Sequence, residues 1–62
     1  MNNYTIKYTT THNTSVDHYT KQDADNKSEA VWHFMQRAYA VDGLEPTDII
    51  LLSVNKTKLW LK

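Results

Sequence analysis

The chain contains no cysteine, one glycine, one proline and one phenylalanine, and its seven basic and seven acidic side chains cancel. Each shortage excludes something. Without cysteine there is no disulfide, no thiolate nucleophile and no cysteine-based zinc site. A single glycine, Gly43, cannot build a glycine-rich phosphate cradle or a dinucleotide fingerprint. Zero net charge is not the electrostatic footprint of a dedicated nucleic-acid binder. It also weakens self-repulsion, which makes association easier. The longest apolar run is IILL, residues 49–52, far too short to span a bilayer. The first residues, MNNYTIKYTT, hold no apolar signal core, so the expected compartment is the cytoplasm and no membrane partner is expected.

What is present fits one domain of 62 residues. A domain of this size buries only about 60% of the surface its unfolded chain exposes. With no disulfide to help, either a very economical core or a second subunit must supply the stability.

Tyr4, Ile6 and Tyr8 alternate with Thr5, Lys7 and Thr9, the period of a strand. HNTS, residues 12–15, is turn-forming. SVDHYTKQ, residues 15–22, reads as a second strand, with Val16, His18 and Thr20 on one face and Asp17, Tyr19 and Lys21 on the other. A helix follows. Asn26 with Glu29 three residues on makes a loose capping box, and Ser28 competes as the cap. The helix is expected to run to Ala40 or Val41 and to stop at Asp42-Gly43, with Gly43 left-handed. Residues 47–62 form either one long strand or a hairpin with Asn55-Lys56 at its turn, and the hairpin is preferred. The expected fold class is α+β: a three- to four-stranded, mainly antiparallel sheet with one helix on one face, ββαβ or ββαββ.

Ala30, Val31, Phe34, Ala38 and Val41 make the core stripe of that helix. Trp32, Met35 and Tyr39 form a second stripe beside it. Such residues either drape over the edge of a narrow sheet or belong to a partner-binding surface, where Trp, Tyr and Met are enriched. The hairpin register puts Leu51 opposite Trp60, with Ile49 as a further candidate, on the sheet face that the helix leaves open. An open face of that kind marks an interaction site. Trp32, Met35, Tyr39, Leu51 and Trp60 are therefore the interface candidates.

Catalytic and metal motifs are missing. His12, His18 and His33 do not share a recognised ligand spacing, and no nucleophile motif occurs. The expectation is a protein that is not an enzyme and needs no cofactor. Single-stranded nucleic acid is the competing ligand class. Tyr4, Tyr8, Tyr19 and Trp60 could stack bases, with Lys7, Lys21, Lys58 and Lys62 interspersed.

NYTIKYTTT, DNKSEAVWHFMQRA and the short apolar segment that follows resemble, in layout, small accessory proteins of phages and prophages of Gram-positive bacteria. The resemblance covers most of the chain and brings no catalytic or binding motif, so it assigns no residue a role. It implies a small inhibitor or adaptor that blocks a host enzyme or antiviral defence complex by contact. The sequence thus predicts a protein–protein interaction module, a homodimer, with a protein target.

Overall fold

The computed structural model describes residues 2–57. Strand β1 (Asn2–Thr10) lies between β2 (Asn13–Ala24) and β3 (Ile49–Lys56), both antiparallel to it. Helix α1 (Lys27–Arg37) packs on one face of this sheet and is followed by a π-helical turn (Ala38–Asp42) and a short 3-10 turn (Pro46–Asp48). The fold is the α+β arrangement ββαβ.

Alternation along β1 decides which face is the core. Tyr4 and Ile6 are buried and Tyr8 is half-buried, packed against the same cluster. Ala24 of β2, Ile49 and Val54 of β3, and Ala30, Phe34 and Ala38 of the helix region complete it. The Tyr8 ring lies 4.7 Å from Phe34 and 5.1 Å from His18, so one aromatic column joins helix, central strand and β2. Arg37 donates to the Thr20 hydroxyl at 2.9 Å and ties the end of α1 to β2.

The helix begins where the sequence places it. Asn26 is extended, and its Oδ1 accepts from the Glu29 N–H at 2.9 Å. This satisfies a donor that the first turn cannot pair internally. Gly43 ends the helical region at φ 69°, left-handed as expected.

Two expectations fail here, each for a local reason. Val41 is 74% exposed rather than in the core stripe. The π turn carries more residues per turn than an α-helix, so the step from Ala38 to Val41 no longer returns to the sheet. The gap beneath it is a cavity of about 210 Å³ lined by Tyr8, Phe34, Arg37, Ala38, Val41 and Asp42. The preferred hairpin turn at Asn55-Lys56 does not form. Both residues are strand, opposite Thr5 and Tyr4, and the Thr57 N–H donates to the Asn3 carbonyl at 2.8 Å. Pairing to β1 satisfies the Asn55 backbone and the Thr57 N–H. Residues 58–62, with Trp60, lie outside the described residues.

The first hairpin shows a related compromise. Thr11 and His12 form its turn, and among the described residues none other than Gly43 takes a positive φ. The primed turns that match strand twist are therefore absent. The register slips instead: β2 runs from His18 to Asn13 while β1 advances only from Tyr8 to Thr10. The buried Thr9 hydroxyl holds the slack, donating toward Val16 O at 2.7 Å and Asn13 O at 3.1 Å.

Replacing Asn26 with Ala should lower stability by about 1 kcal/mol, and Asn26→Ser should restore most of it. Urea denaturation of the three proteins checks this; an unchanged midpoint for Asn26→Ala would remove the cap from the account.

Candidate functional site

The candidate residues occupy two places. On the helix, Trp32 and Tyr39 are 60% and 61% exposed, while Met35 between them is half-buried against the core. Helical geometry explains the split. Trp32 stands two residues before Phe34, about 200° around the helix, and so points away from the sheet. Met35 is two residues from Arg37, so it lies on the flank away from the Arg37–Thr20 contact with β2. Trp32 meets the adjacent His33 ring edge-on at 5.1 Å, and His33 lies 3.4 Å from Glu29 one turn earlier. The tryptophan body is otherwise left to solvent.

On β3, Ile50, Leu51 and Leu52 are three consecutive large apolar residues that remain partly exposed, Leu52 by 47%. Leu51 is not where simple alternation puts it. A register shift between Lys7 and Tyr8 inserts an extra residue on β3, so Ser53 faces Lys7 and Leu51 faces Tyr8. Residues directly opposite share a face. Leu51 is therefore on the helix side, the side of Tyr8 and Phe34. Ile49, expected to join it on the open face, is buried in the core opposite Thr10. Trp60, its expected partner across a hairpin, lies outside the described residues.

Ile50, opposite Thr9, lies on the open face of the sheet, among residues that are mostly polar. Asn3 donates to the Asp23 carboxylate at 2.8 Å, and the Thr5 and Thr57 hydroxyls are 2.7 Å apart. Lys7 lies 3.7 Å from Asp17 and 5.7 Å from the centre of the Tyr19 ring. This is a solvated surface rather than an apolar one. It also bears on the stacking platforms. Tyr4 is buried and Tyr8 lies against Phe34, so both face the helix, and Tyr19 is the one tyrosine of β1 and β2 on the open face.

The histidines sit in three separate places. His18 stacks on Tyr8, His33 pairs with Glu29, and His12 lies 3.9 Å from Asp48 beside the first turn. Among the described residues no cluster of three or more metal-ligating side chains occurs. No helix among them is long and apolar enough to cross a membrane.

No protein-family model matches the chain, and comparison with curated proteins and with solved structures gives no match. The candidate surface therefore rests on its own geometry: an aromatic helix flank, and an apolar strand at the sheet edge. Alternation alone reaches the first and misreads the second, because a one-residue bulge leaves no mark in the sequence.

Trp32→Ala should change stability by no more than about 0.5 kcal/mol, as at exposed sites generally. Phe34→Ala, two residues away and buried, should cost about 3–5 kcal/mol. Thermal and urea denaturation distinguish them, and a loss at Trp32 comparable to that at Phe34 would place the indole in the core.

Proposed function

We propose that this protein works by protein contact: a small, non-enzymatic interaction module that self-associates and blocks a partner's working surface by occupying it. The observation that carries the reading is the exposed apolar row Ile50–Leu51–Leu52 on an edge strand. Three large apolar groups left partly exposed along one edge strand of so small a fold favour association. Trp32 and Tyr39 add a second exposed aromatic surface on the helix, of the composition that interface cores prefer. Two surfaces suit two partners, a second copy of the chain and a foreign protein.

The likeness to phage accessory proteins favours a host enzyme or an antiviral defence complex as the foreign partner, and a cytoplasmic site of action. Steric occlusion asks only for a stable surface, which a chain without a motif for chemistry can supply. Base stacking on the sheet has less to support it, since Tyr4 and Tyr8 serve the core and Lys7 faces Asp17.

Sedimentation of the full chain over a wide concentration range, in low and in high salt, tests the reading. The expected result is a concentration-dependent dimer that persists in high salt, because apolar burial is not screened. A mass of 7.3 kDa at every concentration would overturn self-association. Tight binding of single-stranded DNA that weakens steeply with salt would transfer the sheet to the other ligand class.

A further inference from the structure

The two edges of the sheet are built differently. The β2 edge is irregular from Asn13 to His18, where the register slips, and it carries Asp17, Lys21 and Asp23. Irregular pairing and charge are how natural sheets keep an edge from recruiting another strand. The β3 edge has one bulge, at Leu52, but little charge. Its sequence is IILLSVNK, with Lys56 its one charge, and three of its apolar residues are partly exposed.

The backbone of β3 can be read as well. The Thr57 N–H donates to Asn3. In antiparallel pairing, successive residues turn their backbone groups to alternate sides. Along the regular stretch, Asn55 and Ser53 therefore face β1, and Val54 and Lys56 present their N–H and C=O groups outward. Among the described residues no strand lies beyond β3. Groups so arranged fit one chemistry, an extended backbone laid alongside.

Resting on the self-association reading above, we propose that the occupant is the β3 strand of a second copy, giving a closed dimer with a continuous six-stranded antiparallel sheet. Three observations favour a second copy. Zero net charge imposes little repulsion between copies. Antiparallel self-pairing about Asn55 sets the outward groups of Val54 opposite those of Lys56 in the copy, so that both are used at once. The shielded β2 edge discourages β2–β3 pairing, a head-to-tail contact that would propagate into filaments, so β3–β3 pairing about a twofold axis closes the assembly. Trp32 and Tyr39 then stay free for the foreign partner.

The test uses the full chain and three variants. Leu52→Lys puts a charge on the edge, and Lys56→Pro removes an outward N–H without touching a bond to β1. Each should raise the dimer dissociation constant about tenfold or more, while Trp32→Ala should leave it within about twofold. Amide hydrogen exchange of the unmodified chain gives a second readout that needs no variant. The Val54 and Lys56 amides should be protected at concentrations where the dimer forms, and should exchange freely on dilution to monomer. A dimer that survives both edge variants and fails with Trp32→Ala would overturn edge pairing and leave self-association standing. Protection of Val54 and Lys56 in the monomer would assign the edge to another part of the same chain and overturn the second-copy proposal. A chain that is monomeric throughout would overturn both this inference and the self-association on which it rests.

Discussion

Burial of one face of β1 against α1 is the contact on which the rest of the structure depends. Ile6 is wholly buried at the middle of that strand, with Tyr4 and Tyr8 on either side along the same face. Among the described residues β1 is also the one strand hydrogen-bonded on both sides. Removing its apolar period would therefore release the helix and unpair both neighbours at once. The aromatic column Phe34–Tyr8–His18 and the Arg37–Thr20 hydrogen bond extend the same contact to β2.

That contact is economical to the point of being narrow. Among the described residues three of the seven buried apolar side chains are alanines, at 24, 30 and 38. Alanine adds little apolar area, but it lets a helix approach a sheet closely without side-chain entropy being lost. A single short helix over three strands leaves Trp32, Leu51 and Leu52 partly uncovered. Their exposure follows from the geometry of the layer pair, and any larger core would need a second helix or a second sheet. The association proposed for them is the remaining way to remove that surface from water.

Where the physics was local, the sequence was a sufficient guide. The period-two pattern of Tyr4, Ile6 and Tyr8, the Asn26 cap with its Glu29 partner and the left-handed Gly43 each depend on a few neighbouring residues. The Ala30–Phe34–Ala38 stripe is likewise set by helical spacing. The departures came where one residue of slippage reversed the outcome. A π turn after Ala38 swung Val41 outward, and a bulge in β3 carried Leu51 to the helix side. Both depend on how the element fits its neighbour, and neither requires a distinctive residue. Asn55-Lys56 misled for a different reason. A weak turn signal lost to the hydrogen bonds available along β1, which Thr5 and Asn3 provide.

The bulge and the irregular hairpin have opposite consequences for the two edges. In β2 the irregularity falls in a polar stretch, where the carbonyls of Asn13 and Val16 turn in to the Thr9 hydroxyl of β1 and the pairing is broken. In β3 the extra residue is Leu52, itself apolar and exposed, and the strand beyond it returns to regular pairing through Lys56. The same kind of defect thus closes one edge and enlarges the apolar margin of the other. This asymmetry gives the molecule one adhesive edge instead of two. A sheet with one adhesive edge can form a closed pair, whereas two complementary edges would lead to an open chain.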